Sequence, residues 1–457
     1  MVQLPLNSLE AIDVAHVLHP YTDARRLAEN GPLIIDRGDG IHVYDRQGKE
    51  YIEGFGGLWS VALGFSEERL VSAAVEQLRK LPFYHNFAYK SHAPSIELAE
   101  RLAAIAPGDL AHVFFTNSGS EANDSIVKMV WYYNNALGRP HKKKIVSRLR
   151  GYHGITVAAG SLTGLPANHR DFDLPIANIL HTECPDHWRG AEPGEREEAY
   201  ASRLAARFEE LIQREGSDTV AAFIGEPVMA AGGVIVPPKS YWPKMQAVCQ
   251  KYDILLIADE VVTGFGRTGR MFGCETFGIT PDFMVLSKQL TSSYQPLSAI
   301  LFTDAVYDVI ANNTAKIGTF GHGFTAGGHP VATAVALENL RIIAERGVVE
   351  HAAAMAPRFQ QRLLDFADHP LVGNVRGIGL MGAVELVADK AARRGFEPPG
   401  RAGMILVERC QEHGLIIRGI GDAAAFSPPL IIERNEIDAM FDRFARALDE
   451  TAGMLLA

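Results

Sequence analysis

The chain has 457 residues, 47% hydrophobic and 21% charged, the balance of a folded globular protein rather than a disordered one. Its 44 basic and 54 acidic residues leave a net charge of −10, which repels phosphate backbones and argues against a nucleic-acid partner. Four scattered cysteines form no CxxC pair and no apolar run approaches the ~20 residues of a membrane span, so a soluble protein of the reducing cytoplasm is expected.

The first twenty residues lack a basic start followed by an apolar core, so no secretory signal is expected. Residues 40–54 read as a hairpin turning at Gln47-Gly48. Through the middle of the chain, nearly continuous apolar runs at 112–116, 144–148, 220–225, 254–259, 283–287 and 298–303 predict strands buried on both faces of a largely parallel sheet. Helical stretches alternate with them, one of them at 241–252, which implies an α/β layer architecture. Residues 331–346 predict a long helix stopped at Gly347, followed by mixed helices and β runs, among them 382–386 and 415–418. The expected organisation is a large domain over 59–330 and a smaller α+β domain from 1–58 and 331–457, with no linker between them.

Three motifs carry chemistry. In HVFFTNSGSEAND a strand runs into Ser118-Gly119-Ser120 and then into a helix, with Ser118 and Glu121 in the spacing of a capping box. Small residues at a helix N-terminus let backbone N–H groups approach an anion, although an ordinary capped helix reads the same way. Asp259 ends the buried run ILLIAD, where open α/β sheets bind ligands. Lys288 ends a second buried run, and loss of solvation there lowers an amine's pKa and makes it nucleophilic. Alone, each is also a solvated strand end. Together, an anion cup, a strand-end acid and a strand-end lysine match pyridoxal 5'-phosphate, whose aldehyde needs a lysine for a Schiff base and whose ring nitrogen needs an acid.

The sequence resembles the class III aminotransferases, fold type I pyridoxal-phosphate enzymes, through TNSGSEAND (116–124), RGYHG (150–154), GEP (225–227), DILLIADEVVTGFGRTG (253–269), LSKQLTSSYQPLSA (286–299), GHGFTAGGHP (321–330) and VRGIGL (375–380). GLWSVALGF (57–65), LPFYHNF (81–87) and the tail 414–432 are similar to those of the ω-amino acid and amine:pyruvate transaminases. The resemblance implies a ping-pong ω-transaminase moving an amino group from an amine or ω-amino acid to a keto acid such as pyruvate. It also implies a homodimer with shared active sites, with tetramers left open.

It further implies roles by position. Lys288 is the Schiff-base lysine and Asp259 the partner of the ring nitrogen. Gly119 and Ser120 hold the phosphate, joined by Thr325 from the other subunit, and Ser118 and Phe324 also bind the cofactor. Tyr152 stacks on one ring face and Val261 packs on the other, with His153 beside the ring and Glu226 near the phenolic oxygen. Trp59, Phe87, Tyr152 and Ala231 line the substrate pocket, Phe87 across the dimer interface. Arg418 grips the keto acid's carboxylate and swings aside for an apolar amine. Gln289 departs from the glycine usual after the lysine, so the neighbouring loop is expected to pack differently.

Two other patterns are set aside. Gly264-Phe-Gly266-Arg-Thr-Gly269 spells a dinucleotide fingerprint, but 271–278 make a poor helix and Asp282 comes too soon for the ribose acid. His181, Cys184 and His187 read as a surface loop rather than a metal site, because Pro185 interrupts them and no fourth ligand is evident. A racemase or aminomutase on the same scaffold, an enzyme restricted to 4-aminobutyrate or β-alanine, and a non-catalytic cofactor-binding protein are the alternatives.

Overall fold

The computed structural model describes residue 5 and residues 7–456. Residues 1–4, 6 and 457, part of the 1–58 and 331–457 segments and of the stretch read for a secretory signal, lie outside the described residues. No helix among the described residues is long and apolar enough to cross a membrane.

Near the N-terminus, β1 (Ile35–Asp39), β2 (His42–Asp45) and β3 (Glu50–Glu53) form an antiparallel meander. The predicted hairpin joins β2 to β3, and Gly48 sits in its turn at φ +82°, a conformation open to glycine for lack of a Cβ. The large sheet is built from β4 (Leu110–Thr116), β5 (Lys144–Arg148), β6 (Ile179–Thr182), β7 (Val220–Gly225), β8 (Leu255–Asp259), β9 (Phe283–Leu286) and β10 (Ser298–Thr303). Their order is β4-β10-β9-β8-β7-β5-β6; all neighbours run parallel except β10, which reverses against both β4 and β9. Six of the seven strands match the predicted runs; β6, a short edge strand, was not anticipated.

Alternate residues of the strands divide the core. Ile145, Ile224, Ile257, Val285 and Ile300 meet Ile126, Val127 and Val130 of the helix Gly119–Ala136. Their neighbours Val146, Phe223, Leu256, Met284 and Leu301 face the other way, toward the helices Glu197–Glu215 and Tyr241–Lys251. Period-two alternation on strands that are apolar throughout is what lets both faces be buried.

After the long helix Pro330–Glu345, the C-terminal part adds β11 (Val372–Ile378), β12 (Met381–Leu386), β13 (Leu415–Ile416), β14 (Arg418–Ile420) and β15 (Ala423–Phe426). The run read as one strand at 415–418 is two, in different sheets: Leu415 pairs in parallel with Ile52 of β3, whereas Arg418 pairs with Ala425 of β15. The chain's two ends therefore share one sheet, and past the break at Ile417 the chain joins the sheet of β11, β12 and β15.

Candidate active site

The parallel strands deliver their carboxyl ends to one edge of the sheet, and the chemistry-bearing residues follow those ends. Asp259 is the last residue of β8 and is buried. Its Oδ2 accepts from His153 Nδ1 at 2.8 Å and Asn123 Nδ2 at 3.0 Å, and its Oδ1 from the Val261 amide at 3.1 Å. Asn123 donates its other amide hydrogen to the His153 carbonyl at 2.7 Å. Three donors thus fix the carboxylate in place. The buried Nε2 of His153 has no partner among the described residues.

Lys288 lies just beyond β9 and opens a 3₁₀ turn, Lys288–Thr291, at φ +48°. Its Nζ has no hydrogen bond or ion pair among the described residues. Burial pushes the amine below its usual pKa, against the pull of Asp259 and Glu226, and the Arg418 charge adds to the depression. Glu226 follows β7; burial raises its carboxyl to about 7, against the nearby His153 and Arg148. It accepts from the Tyr152 and Ala230 amides, both at 3.2 Å.

Gly119 and Ser120 begin the helix Gly119–Ala136, and Ser118 caps it, its Oγ accepting from the Glu121 amide at 3.2 Å. The reciprocal half of the expected capping box is not made. Glu121 instead accepts from the Asn117 amide and side chain, at 2.8 and 2.9 Å, drawing the strand end onto the helix start. A Cβ on Gly119 would stand 3.3 Å from Val261 Cγ2, so a side chain there would crowd the cleft. Ser120 Oγ accepts from the Ile155 amide at 3.2 Å.

The cleft has a volume of about 560 Å³ and is lined by Trp59, Gly119, Ser120, Tyr152, His153, Glu226, Ala231, Asp259, Val261, Lys288 and Arg418. Four predicted residues do not line it. Ser118 lies behind it as the cap. Phe87 is half exposed beside Gly323, Phe324 packs on His322 and Thr325 is exposed. Asn123 and Tyr21 line the cleft without having been anticipated. Asn123 carried one signal, a polar residue on the apolar stripe of its helix. Tyr21 lies in non-repeating sequence with none. Gln289 is buried, and its Nε2 donates to the carbonyls of Val262 and Trp59 at 2.9 and 3.4 Å.

A 5'-phosphorylated pyridoxal fits these residues. An unpartnered, desolvated lysine amine, an anchored carboxylate and a small-residue helix start converge on one cleft of suitable size. The aminotransferase class-III model matches residues 24–448. The chain is similar to the omega transaminase of Pseudomonas jessenii solved in complex with PMP: 60% identity, TM-score 0.97, covering 98% of this chain and 99% of that one. A thermostable omega transaminase variant engineered for asymmetric synthesis of enantiopure bulky amines matches equally, at 60% identity and TM-score 0.97, over 98% of this chain and all of that one. Among curated relatives, a probable gamma-aminobutyrate transaminase 3 of Oryza sativa subsp. indica is 50% identical over 95% of this chain and 86% of its own length. The chain belongs to the class III aminotransferases. It is a pyridoxal-phosphate-dependent enzyme of fold type I that transfers an amino group between an amine and a keto acid.

Proposed function

We propose that the enzyme is an ω-transaminase taking apolar amines or ω-amino acids as donors and pyruvate as acceptor, working as a homodimer. The observation that carries the reading is the composition of the cleft: apolar walls from Leu58, Trp59, Val262 and Ile420 face Arg418, the one strong cation besides Lys288 among the described residues lining it. A guanidinium grips a carboxylate through two parallel hydrogen bonds, which suits a keto acid, while the apolar walls suit an amine without a carboxylate.

The cofactor, when bound, supplies an electron sink that makes the substrate's α-proton acidic. Gly119 and Ser120 would hold its phosphate and Asp259 would keep its ring nitrogen charged, with His153 and Asn123 fixing that carboxylate. Tyr152 and Val261 would confine the ring, and Glu226 would lie by its phenolic oxygen. Thr325 and Phe324 would contribute at the dimer interface, together with Phe87. Lys288 Nζ carries the proton: burial holds the amine below its usual pKa, which eases its taking a proton and returning it.

The test is the visible absorbance of the purified holoenzyme. Bleaching on addition of (S)-1-phenylethylamine, with recovery on pyruvate, is the expected result. Bleaching only with β-alanine, 4-aminobutyrate or 6-aminohexanoate would establish instead a carboxylate-requiring enzyme, the reading favoured by the gamma-aminobutyrate transaminases among its relatives. A protein that stays colourless with added cofactor would overturn both.

A further inference from the structure

We propose that Gln289 is a positioning residue that sets amine-size selectivity, by clamping the Trp59 wall of the cleft to the turn that carries Lys288. The inference rests on the reading of Trp59 as a wall of the substrate pocket.

Trp59 stands at φ +63°, a left-handed conformation uncommon for a bulky side chain, at the end of a turn whose Gly57 and Leu58 are also non-helical. Strained backbone of this kind persists only where its surroundings hold it. Its ring packs edge-on against Phe55, with centroids 4.5 Å apart. On the carbonyl side the hold comes from Gln289, whose Nε2 donates to Trp59 O and Val262 O. Trp59 and Val262 both line the cleft, so one amide bridges two of its walls.

The Gln289 turn is itself fixed from behind. Asn339 Nδ2 donates to the carbonyls of Gln289 and Leu290 at 2.9 and 3.1 Å, and its Oδ1 accepts from Ser292 Oγ at 2.7 Å. Ser292 Oγ in turn accepts from the Leu63 amide at 3.3 Å. The segment carrying Trp59 is thus tied to the Lys288 turn at two points, Gln289 and Ser292. Only Gln289 reaches the cleft wall itself. Its Oε1 is buried without a partner among the described residues, so the side chain is retained in the core through its donor contacts.

Gln289→Met keeps the volume and removes the donor; Gln289→Ala removes both, and Gln289→Asn shortens the reach. The measurement is kcat/KM of the holoenzyme for 1-phenylpropylamine and for 2-aminobutane, in these variants and in the Trp59→Ala background. Release of the Trp59 wall should raise the ratio of bulky to compact amine by about 3–10-fold, the equilibrium weight of one hydrogen bond. In the Trp59→Ala background the same substitutions should leave the ratio unchanged, which a merely structural role would not produce. Gln289→Met with an unaltered ratio, or effects that add to those of Trp59→Ala, would overturn the proposal. Were Trp59→Ala alone to leave the ratio unchanged, the reading of Trp59 as a pocket wall would fall instead, and the proposal with it. If Gln289→Ala does not fold, the isosteric Met variant decides.

Discussion

Asn123 uses both hydrogens of its amide around Asp259, one on the carboxylate and one on the His153 carbonyl, and so fixes the anion and its imidazole partner together. Asn123→Ala deletes a charge-assisted bond to a buried carboxylate, about 1.5–3 kcal/mol. We expect kcat/KM to fall about 10–150-fold for that loss, with the Kd for cofactor rising in parallel. Asn123→Asp should be worse than Ala, since it sets a second carboxylate where the amide stood, 3.0 Å from Asp259 Oδ2. Like charges at that spacing cannot both remain ionised. Steady-state kinetics and equilibrium dialysis of the two variants, side by side, check the order. A milder effect for Asp than for Ala would mean that the Asp259 charge is not what this site depends on.

At the scale of the element, Glu53 at the end of β3 holds the turn that carries Trp59, its Oε1 accepting from the Phe55 amide at 3.0 Å. Burial lifts its carboxyl to about 8 from an ordinary value of 4.5. Between those values the native state binds a proton that the unfolded chain has released. Stability from this group is therefore full below about pH 4.5 and lost as pH rises through about 8. Glu53→Gln removes the titration, so its thermal midpoint should exceed the wild type's at pH 9 and converge with it at pH 5. The gain at pH 9 is on the order of 3–5 kcal/mol. Equal midpoint differences at both pH values would show that Glu53 is ionised throughout.

The same scale shows how much was legible beforehand. Strands buried on both faces, such as Val220–Gly225 and Ser298–Thr303, announce themselves as unbroken apolar runs. Ile179–Thr182 does not: this short edge strand offers only the four residues ILHT, half of them polar, too few to show a run. The split at Ile417 was equally silent, because periodicity cannot tell one strand from two that join different sheets. In the site, Asp259 and Lys288 stood out as charges closing apolar runs. Tyr21 did not, since its place at the cleft depends on an irregular N-terminal path that leaves its backbone at φ +52°. Gln289 stood out as a departure, but its grip on Trp59 comes from a long-range contact that sequence spacing does not encode.

For the whole molecule, three of the expected site residues, Phe87, Phe324 and Thr325, lie away from the cleft of their own chain, and Phe83, Tyr84, Phe87 and Tyr89 are exposed together. Large aromatic patches left open on a folded surface mark contact sites. In a two-fold assembly each subunit would lend these residues to its partner's cleft. Complementation tests this directly. Lys288→Ala lacks the proposed proton carrier but keeps Thr325, and Thr325→Glu keeps Lys288 but sets a negative charge at the proposed phosphate contact. Each homodimer should be inactive. In a heterodimer, purified with two different tags after co-expression, the cleft holding the intact Lys288 receives the intact Thr325 of its partner. The heterodimer should then recover about half of wild-type activity, one good site of two. Were Thr325 to serve its own subunit, both clefts of the heterodimer would carry a lesion, and it would be as inactive as its parents.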